Sequence, residues 1–312
     1  MPFVNLTHIT SYHYSQPASF GEHRLMVRPR ESFDQHLLSS SLVIDPEPAE
    51  IRWLHDVFGN SVAIATFRRR ATQLRIESRA RVLHNPFELQ DVHIEDYART
   101  YPFTYSSEEM PDLLRSIERQ HLDPHRRIDN WAHRFVSKGS DKSTLDMLTD
   151  MTAAIKREFT YVPRQQKGTQ TPLETLDRGK GTCRDYAMLM IEAVRSLGLA
   201  ARFVSGYVYN PGGRQRVTGG GNTHAWVRVY LPGSGWVEFD PTNDIVGTEG
   251  LIRVAIARDI YQAVPISGTW SGFPGSYQGM DVSVDIYVDQ GGPLENPALS
   301  EKELMNADSR RI

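Results

Sequence analysis

The sequence predicts an α+β protein: a strand-rich first third, a helical middle, and a closing set of strands. Three observations carry this. Through the first hundred or so residues apolar side chains alternate with polar ones, the period of a half-buried strand. From about residue 105 to 160 the period lengthens to that of an amphipathic helix. Beyond Gly198 short apolar runs return, separated by glycine and proline turns.

Each element has its own signal. Leu38, Ser40, Leu42 and Ile44 alternate with their neighbours, and Asp45-Pro46-Glu47-Pro48 stops the run. Leu74, Ile76, Ser78, Ala80 and Val82 alternate with Arg75, Glu77, Arg79 and Arg81, so one face of that strand is charged. Gly59-Asn60 lies between Trp53-Leu54 and Val62-Ala63-Ile64, a hairpin signal. Many short strands with turn residues between them predict a β-sandwich-like domain over residues 1–104.

Ser106-Ser107-Glu108-Glu109 opens the first helix. Pro124 precedes a second, with Ile128, Trp131, Ala132 and Phe135 on one face. A third puts Leu145, Leu148, Met151, Ile155 and Phe159 on a single stripe, which reads as core packing. After Phe159-Thr160-Tyr161-Val162-Pro163 the spacing predicts a polar loop, then a helix that opens near Cys183 and ends at Gly198. Strands follow at 201–209, 223–231, 236–240, 251–257 and 282–288. Residues 105–290 therefore read as a second domain with its core at about 150–245, and 291–312 as a polar, loosely held tail.

Composition narrows the function. A chain of 312 residues, 39% hydrophobic and 23% charged, has the make-up of a soluble globular protein. A net charge of -3 gives no strong attraction to nucleic acid, and Arg68-Arg69-Arg70 reads as a solvated strand end. No apolar run is long enough to span a membrane, and the N-terminus lacks the basic start and apolar run of a signal peptide. One cysteine excludes an internal disulfide and a multi-cysteine zinc site. The expectation is a reducing cytoplasm, with no cofactor and no metal.

That cysteine, Cys183, stands in Gly179-Lys180-Gly181-Thr182-Cys183-Arg184-Asp185-Tyr186-Ala187. Thr182 and Asp185 have the spacing of a capping box, and Ala187, Met188, Leu189, Ile191, Val194 and Leu197 follow at helical spacing. Cys183 thus falls at the first helical position. There, unpaired N–H groups and the positive end of the helix dipole favour thiolate, the form that attacks. The plainer place for a free cysteine is the core.

A cysteine nucleophile needs a base, and the base an orienting group. Among eleven histidines, His224 is set apart by context. The run Gly219-Gly220-Gly221 leads into a strand on which His224, Trp226 and Arg228 share a face. Pro232-Gly233-Ser234-Gly235 turns the chain into a second strand ending at Asp240-Pro241. If His224 pairs level with Asp240, or two positions off, the two share a face within reach. A slip of one residue separates them. Each also has an ordinary reading: an Asp before Pro initiates turns, and a strand histidine is often a surface residue.

The ordered set Gly-Thr-Cys183-Arg-Asp-Tyr-Ala, Thr-His224-Ala-Trp and Gly-Trp-Val-Glu-Phe-Asp240-Pro-Thr resembles the transglutaminase-like superfamily over about residues 150–245. Residues 1–30, with His8-Ile9-Thr10-Ser11-Tyr12-His13-Tyr14 and Gly21-Glu22-His23-Arg24-Leu25-Met26, resemble the start of the bacterial branch, which carries an N-terminal β-rich domain. The resemblance implies a papain-like core: a cysteine helix packed on an antiparallel sheet that bears His and Asp. Animal cross-linking members have tryptophan where Arg184 stands, and no compact acidic loop suited to calcium is present.

The expected chemistry is attack by Cys183 on an amide carbonyl, with His224 as acid and base and Asp240 orienting it. The Cys183 N–H is one oxyanion donor. Tyr161 or Gln170 could be the second, although Tyr161 also suits packing and Gln170 a surface loop. The substrate expected is a peptide or protein amide. If water takes the acyl group the protein is a peptidase or amidase, the leading reading; if an amine takes it, a transamidase. A non-catalytic adaptor of the same fold is the third reading, which a missing triad member would favour. A protein partner on the N-terminal domain stays open. The loop from Asn210 to Arg216, with Gly219–Gly221, reads as a rim over the site or as an ordinary hairpin loop.

Overall fold

The computed structural model describes residues 2–136, 143–163, 168–211 and 218–289. Five strands come first: β1 (Phe3–Leu25), β2 (Gln35–Asp45), β3 (Glu50–His55), β4 (Ser61–Thr66) and β5 (Ala71–His84). Strand β1 is long enough to serve two sheets. Its first half pairs with β5, and its second half pairs with β4, all antiparallel. Tyr14, Ala18, Phe20 and Leu25 of β1 pack with Ile44, Ala63, Ala65, Leu74 and Ile76 between the sheets. This is the sandwich that the alternation predicts. The Gly59-Asn60 hairpin forms as expected, with Asp56 accepting from the N–H groups of Phe58 and Asn60 at 2.9 Å each. Arg68, Arg69 and Arg70 are exposed between β4 and β5.

In β2 the phase differs at one point. The register slips between Leu37 and Ser39, a bulge that adds one residue to the strand. Leu37 then turns toward the interior and Leu38 is left 50% exposed.

Helices α1 (Met110–Ile117), α2 (Arg127–Ala132) and α3 (Thr144–Glu158) occupy the middle, and Ile128, Trp131, Leu148, Met151 and Ile155 join the main core. The strand β6 (Thr160–Tyr161) precedes helix α4 (Pro172–Arg178), strand β7 (Lys180–Gly181) and helix α5 (Cys183–Ser196). Helix α4 replaces the polar loop expected here. Its own signal is Thr171-Pro172-Leu173-Glu174, a capping box with proline at the first position, closed reciprocally at 2.8 and 3.2 Å.

A five-stranded antiparallel sheet follows, from β8 (Ala201–Val208), β9 (His224–Leu231), β10 (Gly235–Asp240), β11 (Ile245–Val246) and β12 (Leu251–Ala257), ordered β11-β10-β9-β8-β12. Helix α5 lies against it, with Ala187, Ile191 and Val194 in one core with Ala225, Val227 and Val229. Fully burying a valine or isoleucine contributes about 1.5–3 kcal/mol, so this packing fixes the helix on the sheet.

The last strands, β13 (Ile266–Ser271) and β14 (Tyr277–Asp289), leave the five-stranded sheet and its helices. Both pair with β1, and β14 runs beside it from Phe3 to Tyr14. The expected second domain of 105–290 is therefore not contiguous: residues 266–289 complete the N-terminal sandwich. A long β1 has two edges to fill, and only one is covered by β5 and β4. The tail expected at 291–312 and most of the loop at 210–216 lie outside the described residues.

The two units meet over a buried seam. Val4, Leu6, Ala80, Val82 and Val284 pack against Tyr207, Tyr209, Ile252 and Val254. Arg253 crosses it to pair with Asp34 and Ser32, and on its own side it pairs with Glu238. His8 and His84 bond the hydroxyls of Tyr207 and Tyr209 at 2.9 and 2.8 Å.

Candidate active site

The nucleophile position is built from its flanks. Lys180-Gly181 pairs in parallel with Thr160-Tyr161, which brings Tyr161 beside the start of α5. Thr182 is extended, and the Asp185 carboxylate accepts from its N–H at 2.8 Å and its hydroxyl at 2.9 Å. Asp185 is fully buried, and it also accepts from the Gln170 N–H at 2.7 Å. Gly181 makes this closure possible, since a Cβ there would fall 2.9 Å from the Asp185 Cβ. Cys183 emerges at the first helical position, only 5% exposed.

On the sheet, Glu238 lies opposite Arg228 and Phe239 opposite Val227, so Asp240 comes level with Trp226. His224 is one diagonal step away on the same face, one of the arrangements the sequence allows. Its Nε2 meets Asp240 Oδ2 at 2.8 Å, with both side chains fully buried. The Trp226 ring stacks on the imidazole at 27°, with centroids 5.9 Å apart. Asp240 also accepts from the Thr242 N–H at 2.9 Å and from Asn243 Nδ2 at 2.8 Å. Nδ1 of His224 is buried without a nitrogen or oxygen partner, which leaves it to the sulfur. That contact is looser than a formed hydrogen bond, as is common before a substrate binds.

The electrostatics of the three groups agree. Burial pushes the Cys183 thiol up, but the His224 charge and contact, with Arg184 behind them, bring it below its ordinary value. Burial alone would lower the His224 imidazolium; Asp240 and Cys183 outweigh it and lift the group to about 10. Burial would also raise the Asp240 carboxyl, and His224, Asn243 and the Thr242 N–H hold it below the usual carboxylate value. The favoured state is thiolate, imidazolium and carboxylate in a row, which gives a nucleophile and a proton donor together.

A family model described as the transglutaminase-like superfamily matches residues 129–241, and one for the bacterial transglutaminase-like N-terminal region matches 4–83. Over residues 129–241 the chain belongs to the transglutaminase-like superfamily. An uncharacterized protein of Mycobacterium tuberculosis is 29% identical over 93% of this chain and 94% of its own length. One from Mycobacterium leprae is 27% identical over 91% of this chain and 98% of its own. A solved structure from Cytophaga hutchinsonii, described as a candidate cysteine protease, shares the fold. Its TM-score is 0.68 at 20% identity, over 94% of this chain and 93% of that one. A protein-glutamine gamma-glutamyltransferase of Pseudomonas aeruginosa is 36% identical over 72 residues, which is 22% of this chain and 11% of that protein.

Within this transglutaminase-like frame the two candidate oxyanion donors part. Gln170 Nε2 is committed to the Lys180 carbonyl at 3.1 Å and to Asp185 at 3.3 Å, so Gln170 anchors the nucleophile helix. Tyr161 is half-buried with its hydroxyl in polar contact with Cys183, and burial and the sulfur together push its pKa up. Asn243 escapes a sequence reading: a lone asparagine three residues past the aspartate looks like turn chemistry. Among the described residues no group of three or more His, Cys, Asp or Glu side chains is arranged to hold a metal ion.

Proposed function

We propose that the protein is a cysteine-dependent acyl-transfer enzyme that hydrolyses a peptide or protein amide. The observation that carries the reading is the buried 2.8 Å His224–Asp240 bond beside a thiol drawn below its ordinary pKa. The Cys183 thiolate attacks the carbonyl carbon and forms a C–S bond, and the electron pair moves to the carbonyl oxygen. The oxyanion takes hydrogen bonds from the Cys183 N–H at the helix start and from the Tyr161 hydroxyl. Collapse breaks the C–N bond, and His224 gives its proton to the departing amine. The neutral imidazole then takes a proton from water as that water attacks the thioester. Release of the acid restores thiolate and imidazolium.

A second reading rests on the 72-residue likeness to the Pseudomonas aeruginosa protein-glutamine gamma-glutamyltransferase, in which an amine replaces water. Against it, Arg184 stands beside the nucleophile in place of the tryptophan of animal cross-linking members. Incubation with an amide library and an excess of a primary amine, followed by mass spectrometry, decides between them. Free acid supports hydrolysis; the amine adduct supports transamidation. Cys183→Ala abolishes both products, and retained activity sinks the reading. We also place the enzyme in the reducing cytoplasm, where a solitary low-pKa thiol survives oxidation best. Fractionation against a periplasmic marker checks this.

A further inference from the structure

We infer that Asn243 is a positioning residue: it pins the Thr218–Gly219 backbone over the Nδ1 edge of His224 and so keeps water off that nitrogen. The inference rests on the acyl-transfer reading and adds to it the device that guards the proton.

Every polar atom of the Asn243 side chain is engaged. Oδ1 accepts from the Thr218 N–H at 2.9 Å, and Nδ2 donates to the Thr218 carbonyl at 3.1 Å. One amide thus grips both backbone groups of one residue, a two-point lock against sliding or rolling. Nδ2 also donates at 2.8 Å to Asp240 Oδ2, the oxygen that His224 Nε2 meets. The same side chain therefore holds the triad's carboxylate and the passing loop.

Gly219 follows the grip with φ +86°, and a Cβ there would come 2.7 Å from His224 Nδ1 and 3.3 Å from Cε1. The backbone approaches so closely that no side chain fits. Two residues on, the Gly221 carbonyl accepts from the Val284 N–H of β14 at 3.0 Å. The glycine run is thus tied at one end to the strand turn that bears Asp240 and at the other to the N-terminal sandwich. Gly219 lies between the ties. Nδ1, buried and without a nitrogen or oxygen partner, must hand its proton to the leaving amine. A wall at this edge leaves the sulfur and the bound substrate as the proton's routes.

The test uses full-length protein labelled with ¹⁵N-histidine. Solvent exchange of the His224 ring protons is measured by NMR, with His8 and His84 as internal controls, alongside kcat and KM on the hydrolysed amide. Asn243→Ala is expected to speed exchange at His224 about tenfold and to lower kcat about tenfold, with KM little changed. The His8 and His84 signals stay in place. Gly219→Ala, which puts a methyl against Nδ1, lowers kcat similarly while the Nε2 proton signal persists. Asn243→Ser serves if the alanine variant does not fold. Unchanged exchange or unchanged kcat in a folded Asn243 variant overturns the inference. The exchange measurement needs no substrate, so it stands apart from the reading of the reaction, which Cys183→Ala tests.

Discussion

Two regions of this molecule bury histidines, and they hold them in opposite charge states. At the seam between the sandwich and the five-stranded sheet, His8 and His84 face tyrosine hydroxyls, and burial lowers both to about 4. At the candidate site, His224 is buried as deeply but is lifted to about 10. Asp240, fully buried and 2.8 Å from Nε2, supplies most of the difference, with the Cys183 sulfur second. Burial by itself makes a histidine neutral and inert; burial beside a carboxylate makes it a standing cation that can hold a thiolate.

The sharpest way to break the contrast is Asp240→Asn, which gives His224 a neutral partner like those at the seam. Turnover should fall by about two to four orders of magnitude, as expected when a triad carboxylate is lost, with little change in the melting curve. An unchanged kcat would reduce Asp240 to a turn residue. Next comes Tyr161→Phe, which removes the proposed second oxyanion donor and is expected to lower kcat by about a hundredfold, with KM nearly constant in steady-state kinetics.

At the seam the effect is on stability. The folded pKa of His8 and His84, about 4, lies below the unfolded value near 6.5, so the unfolded chain binds more protons between these limits. The contribution is fully present above 6.5 and is lost as pH falls toward 4. Urea unfolding across that window should show stability rising with pH, and a His8→Gln/His84→Gln double variant should flatten the slope. Smallest is Tyr209→Phe, which leaves His84 Nδ1 without its partner and costs about 1–3 kcal/mol by the same method, without touching kcat.

The contrast also marks what a sequence can disclose. Cys183, His224 and Asp240 were legible as candidates because each stands in a strong local pattern: a capping box, a strand behind a glycine run, a strand before proline. The shared face of His224 and Asp240 was one of the registers that a two-residue period and one short turn allow, and the pairing of the two strands selects it. The placement of β13 and β14 was not legible, since which edge of β1 they fill depends on pairings more than two hundred residues apart. The bulge at Leu38 was hidden for a related reason: alternation fixes the phase only where the register is unbroken. Helix α4 did carry a signal, a capping box with proline, but its apolar stripe is too short to declare itself. Tyr161 and Gln170 were both legible as candidate donors, and only the fold tells them apart; Asn243 acquires meaning only from what the fold puts beside it.

On the proposed reading, His224 holds Cys183 as a thiolate because Asp240 holds His224 as a cation. The ultraviolet absorbance of the thiolate, followed against pH in the wild type with Cys183→Ala as blank, tests it most directly. The thiolate is expected to form below the ordinary value of 9.0, and Asp240→Asn to move this titration. A thiol that ionises at or above 9.0, alike in both proteins, would contradict it.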